Sequence, residues 1–75
     1  MCAIVGVINS KDAAKTVYYA LFAMQHRGQE ASGISACDEG HIETVKGRGL
    51  VTEVFDKKSF EVLKGDMAIG HNRYA

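Results

Sequence analysis

From Ala3 to Ile8 the chain reads AIVGVI, an unbroken apolar run closed by Asn9 and Ser10. Its richness in Val and Ile predicts a strand buried on both faces. The rhythm then changes. Ala14, Val17, Tyr18, Leu21 and Phe22, with Met24 or Gln25 following, recur at helical spacing, which predicts a helix over residues 12–27 with one apolar stripe. Ser10 or Asp12 is placed to cap its start. His26 and Arg27 would fill its last turn and Gly28 its left-handed C-cap. The Tyr18-Tyr19-Phe22 cluster falls on the stripe and is expected to be core.

A two-residue rhythm follows. ASGISAC (31–37) and IETVKG (42–47) flank the acidic, glycine-containing turn DEG (38–40), which predicts an antiparallel hairpin. GRG at 47–49 reads as a turn; it lacks the third glycine and the Lys-Ser/Thr of a phosphate-binding loop. Val51, Val54, Phe55, Val62 and Leu63 predict a second helical region, broken near residues 56–59 and ended by Gly65. DMAIGHNRYA (66–75) predicts a last strand, in which His71 and Arg73 share one face and Asn72 takes the other. Strand, helix, hairpin, helix, strand is an α+β order without internal repeat or linker.

Composition narrows the class. With 75 residues, 47% apolar and 24% charged, the chain is globular in character but small enough that its core alone barely offsets chain entropy. Nine basic residues balance nine acidic ones with no Lys/Arg block, so neither a nucleic-acid nor a membrane partner is indicated. The first apolar run is too short, and lacks a preceding positive charge, for a signal peptide or a membrane span. Cys2 and Cys37 have no disulfide-scaffold pattern, which favours a reducing, cytoplasmic setting. The spacing of Cys2, Cys37, His26, His41 and His71 matches no zinc pattern, so no metal site is expected.

Cys2 poses the chemical question. With Met1 retained it is a small hydrophobe near a chain end. With Met1 removed it carries a thiol and a free α-amine on one residue. Taken singly, HRGQE (26–30) is explained by helix termination and GHNRY (70–74) by an ordinary strand end.

In combination and in order, MCAIVGV, ALFAMQHRGQEASGI, KGRGLVTEVF and AIGHNRYA resemble the N-terminal class II glutamine amidotransferase domain of the amidophosphoribosyltransferases, or glutamine phosphoribosylpyrophosphate amidotransferases. The resemblance spans essentially all 75 residues. QHRGQE with GHNRY distinguishes it from class relatives such as glucosamine-phosphate synthase, with YRGYDSAG and HTRW, and asparagine synthetase, with HRGPDG. Ala3 stands where the family most often has Gly.

The resemblance implies that Met1 is lost and that Cys2 is the nucleophile of an N-terminal-nucleophile (Ntn) hydrolase. An α-amine titrates near ~8, so it can take the thiol proton at neutral pH. Glutamine would then be hydrolysed through a γ-glutamyl thioester. The ammonia would go to phosphoribosyl pyrophosphate to make phosphoribosylamine, the first step of purine biosynthesis. By the same resemblance Arg73 holds the glutamine α-carboxylate, Arg27 and Gly28 line the pocket, and His71 lies beside the substrate. It implies no cofactor in this segment and Mg²⁺ with phosphoribosyl pyrophosphate in the full-length enzyme. The implied partners are glutamine, the remainder of the parent chain with its phosphoribosyltransferase domain, and further copies in a homo-oligomer. The family's Asn-Gly oxyanion pair and its acidic residue for the substrate amine have no counterpart in the 75 residues. Residues 1–75 are therefore expected to be the N-terminal fragment of an αββα sandwich, holding part of each layer and inactive alone, since losing oxyanion donors costs about 3 kcal/mol or more. Exposed sheet edges and a half-covered helix face are expected to drive self-association or strand exchange. The competing readings are a non-catalytic α+β interaction module, with Cys2 as packing and Arg73 as surface charge, and the glutaminase domain of another class II amidotransferase.

Overall fold

The computed structural model describes residues 2–25 and 29–74. The elements are β1 (Ala3–Val7), α1 (Ala13–Met24), β2 (Gln29–Asp38), β3 (His41–Arg48), α2 (Val51–Val54), α3 (Lys57–Val62) and β4 (Met67–Tyr74). The four strands form one antiparallel sheet in the order β1-β4-β2-β3. This is the α+β order expected from the sequence, and β4 is an interior strand rather than an exposed end.

All the helices lie on one face of the sheet. Ala13, Ala14, Val17 and Leu21 of α1, Val51 of α2, and Phe55 and Leu63 beside the short helices pack on Ile34, Ala36 and Ala68. Removal of this apolar surface from water is the main favourable term in folding. The opposite face is bare: Ile4, Ile42 and Ile69 are 77%, 65% and 63% exposed, with Ile8 and Met67 also exposed. Two expectations therefore change. β1 is an edge strand with one open face, because among the described residues nothing covers its Ile4 side. Among the described residues the chain supplies two layers, one helical and one sheet, rather than part of four; the uncovered apolar surface is the open sheet face, together with Tyr19 and Phe22 of α1.

Local details differ in the same instructive way. α1 stops at Met24, three residues before the expected end, where Gln25 turns extended (φ −73°, ψ 143°) and donates its N–H to the Phe22 carbonyl. The expected Gly28 cap and the His26 and Arg27 last turn lie outside the described residues. At the other end Asp12 is the N-cap but its side chain accepts no capping bond; its carbonyl instead accepts from both the Thr16 N–H (3.0 Å) and hydroxyl (3.1 Å). Of the aromatic cluster only Tyr18 is core, meeting Phe55 and Phe60 edge-on, whereas Tyr19 and Phe22 are exposed.

The hairpin matches its pattern closely. Glu39 (φ 51°) and Gly40 (φ 83°) are both left-handed, the backbone of a tight turn whose twist suits the strands it joins. Gly47 and Arg48 belong to β3, so only Gly49 of GRG is a bend. The helical region breaks where Asp56 and Ser59 cap each other: the Asp56 carboxylate accepts the Ser59 N–H, and the Ser59 hydroxyl accepts the Asp56 N–H, each at 3.1 Å. Among the described residues no helix is long and apolar enough to cross a membrane.

Candidate functional site

GHNRY is built by alternation. β4 runs from Met67 with odd-numbered residues on the open face and even-numbered ones towards the helices. His71 and Arg73 consequently face outwards, while Asn72, wholly buried, faces α1. Gly70 is glycine because α1 presses on it. A Cβ there would run into Val17 Cγ1 and come within 2.8 Å of Leu21 Cδ1.

The inward side chains tie β4 to the end of α1. The last four carbonyls of a helix have no partner within it. The amide of Asn72 donates to the Leu21 carbonyl at 2.9 Å, and the Tyr74 hydroxyl donates to that of Met24 at 2.5 Å. Gln25 N–H takes the Phe22 carbonyl. Side chains of a strand thus take up carbonyls in the last turn of α1. Asn72 Oδ1 in turn accepts from the Ser32 hydroxyl (2.8 Å), which also reaches the His71 carbonyl (3.3 Å).

Register brings the two ends of the chain together. β1 pairs with β4 with Ala3 opposite Asn72 and Ile4 opposite His71. Carried one residue beyond the ladder, the same register sets Cys2 against Arg73. Cys2 is an exposed free thiol. His71 and Arg73 border a shallow open depression of about 700 Å³ on the bare face, with Ile4 and Ile69 in its floor and Lys46 and Arg48 at the far side. Arg73 Nε is 3.5 Å from Glu30 Oε2, with the side chains 69% and 51% exposed. A pair so solvated contributes about 1 kcal/mol at most, so it does not sequester the guanidinium from another carboxylate.

Of the residues singled out in the sequence, His71 and Arg73 thus share the open face, and Cys2 precedes β1 at the same end of the sheet. Arg27 and Gly28 lie outside the described residues. The segments that flank them are anchored: the Gln25 side-chain carbonyl accepts from Val51 N–H (3.0 Å), and the Gln29 amide donates to the carbonyls of Gly49 (2.7 Å) and Ala31 (3.0 Å). Gln25 and Gln29 are therefore both fastened to the chain at residues 49–51. Sequence reasoning passed over Gln25, Gln29, Glu30, Ser32 and Asn72. The available signal was the crowding of amide side chains around HRG, in a segment otherwise explained as a helix end. Among the described residues no group of three or more His, Cys, Asp or Glu side chains is arranged to hold a metal ion.

No family model matches the chain. It is 55% identical over 74 residues to the amidophosphoribosyltransferase of Pyrococcus horikoshii and 48% identical over 77 residues to that of Archaeoglobus fulgidus. These alignments cover 99% and 100% of the chain. By sequence the chain is related to a segment of the amidophosphoribosyltransferases. The fold agrees: it superimposes with a TM-score of 0.90, at 43% identity, on the allosteric regulatory enzyme of purine biosynthesis. It matches the glutamine phosphoribosylpyrophosphate amidotransferase of B. subtilis, complexed with ADP and GMP, with a TM-score of 0.89. Both matches cover the whole chain. The chain spans only 16 to 17% of the length of these amidophosphoribosyltransferases.

Proposed function

We propose that this stretch supplies the nucleophile and the carboxylate-binding arm for glutamine cleavage in an amidophosphoribosyltransferase. The observation that carries the reading is the β1–β4 register, since it puts an exposed terminal thiol at the same sheet end as His71 and Arg73. With Met1 removed, the Cys2 α-amine takes the thiol proton and the sulfur attacks the glutamine γ-carbonyl. The C–N bond breaks, the amine-held proton leaves with ammonia, and a γ-glutamyl thioester remains for water to hydrolyse to glutamate. Arg73 holds the substrate α-carboxylate through its planar fork of donors, and Arg27, Gly28 and His71 border the substrate. The ammonia passes to phosphoribosyl pyrophosphate on the remainder of the parent chain to form phosphoribosylamine. Mg²⁺ accompanies that second substrate, and no step among these residues passes through it.

The bare face of Ile4, Ile42 and Ile69 supports the architectural half of the proposal. An apolar surface of this kind is the inner face of a sheet-on-sheet packing, so the stretch contributes one helical and one sheet layer of an αββα Ntn-hydrolase sandwich. With no counterpart of the family's oxyanion-hole pair, the stretch alone is inactive. Glutamine, the rest of the parent chain and a second copy of it are the partners, in the cytoplasm.

The test is covalent. Full-length protein treated with a glutamine-mimicking diazo-ketone is digested and its peptides weighed. The expected adduct is on Cys2, in a chain whose intact mass lacks Met1. An adduct on another residue, or none, overturns the assignment.

A further inference from the structure

Resting on the glutaminase reading above, we infer that Asn72, with Ser32 as its partner, is a positioning residue that holds Arg73 and His71 for substrate capture. Asn72 stands between these two in sequence and is 0% exposed. A buried amide is stable only when its donors and acceptors are matched. Here Nδ2 donates to the Leu21 carbonyl at 2.9 Å and Oδ1 accepts the Ser32 hydroxyl at 2.8 Å. The same hydroxyl lies 3.3 Å from the His71 carbonyl, so one small cluster grips the backbone of the strand that presents both outward side chains. Ser32 is directly opposite Asn72 in the β2–β4 ladder, which makes this a cross-strand contact with fixed register.

Two consequences distinguish Asn72 from an ordinary core residue. Any apolar residue of similar size could fill the space, but it would leave the Leu21 carbonyl unpaired and the Ser32 hydroxyl with only its longer bond to the His71 carbonyl. Asn72 also links three elements: β4, which carries Arg73, β2 through Ser32, and α1 through the Leu21 carbonyl. A shift of β4 along α1 would move Arg73 relative to Cys2 without touching either side chain. Misplacement of a binding group by about 1 Å costs up to ~10²-fold in rate.

The experiment uses the full-length enzyme carrying Asn72→Ala, Ser32→Ala, Cys2→Ala and Arg73→Ala in separate chains. For each, glutamine-dependent and ammonia-dependent synthesis are measured together with the melting temperature. For Asn72→Ala the expected result is a glutamine KM raised about tenfold, with ammonia-dependent kcat within about twofold of the parent. Ser32→Ala, which removes a single hydroxyl, gives a smaller rise of the same kind and decides the matter if Asn72→Ala fails to fold. Should both reactions fall in proportion at unchanged glutamine KM, or should neither change, Asn72 is a structural clamp only and the inference is overturned. Should Cys2→Ala and Arg73→Ala keep full glutamine-dependent synthesis, the glutaminase reading itself fails, and the two failures are told apart.

Discussion

Arg73 illustrates how much a single position owes to its neighbours. Its charge and fork geometry are properties of the residue, but the proposed role depends on its place on the open face of β4 and on a Glu30 partner weak enough to release it. Replacing Arg73 by Lys keeps the charge and loses the two-pronged bond. In the full-length enzyme the glutamine KM should rise at least about tenfold, with ammonia-dependent turnover unaffected, as steady-state assays with each nitrogen source would register. Glu30→Gln should leave the same KM within about fivefold, because an exposed pair 3.5 Å apart is worth about 1 kcal/mol or less. Gly70 is the opposite case, a residue whose absence of a side chain is its function. Gly70→Val would drive methyls into Val17 and Leu21, and overpacking of this kind costs about 1–3 kcal/mol or more. A thermal melt should show the loss, and an unchanged melting temperature would contradict the close approach of α1 to β4.

At the scale of elements, the short helices depend on their caps. The Ser59 N–H, and then its hydroxyl, hold the Asp56 carboxyl below the ordinary value of 3.8. A carboxyl lowered by folding adds stability above its unfolded pKa, and that contribution disappears as pH falls through the folded value. Asp56→Ala should therefore melt at a lower temperature than the parent at neutral pH. The gap should narrow as the pH is taken below 3.8; melts at neutral and strongly acidic pH check the sign.

The same elements show what was legible in the chain. The hairpin was, because a period of two flanking a glycine turn has few other solutions. The break between α2 and α3 was visible around Asp56 for a similar local reason. The end of α1 was not. The sequence pattern carries the helix to residue 27, whereas α1 ends at Met24, where Asn72 and Tyr74, some fifty residues away in sequence, reach its carbonyls. No local pattern encodes a capping group that arrives from another strand. The aromatic cluster failed for a related reason: helical spacing defines a stripe, but of these three rings only Tyr18 meets Phe55 and Phe60 of the short-helix region.

For the whole molecule the decisive feature is asymmetry, one face of the sheet covered by helices and the other bare. A surface with Ile4, Ile42, Ile69 and Met67 in the open should associate. The 75-residue chain is expected to sediment as more than a monomer at micromolar concentration. Ile42→Thr with Ile69→Lys should shift it towards monomer; a chain that is monomeric without those changes would argue against an inner sheet face. The sequence by itself determined the strands, the hairpin, the α+β order and the set of chemically capable residues, since each follows from local periodicity, turn chemistry or motif. Only the tertiary structure decided that β1 is an edge of the sheet, that its N-terminal end lies beside the end of β4 that carries Arg73, and that Asn72 joins β4 to α1. Those are facts of register and packing between segments far apart in the chain, and hydrogen bonds across such distances leave no periodic trace in the residues that make them.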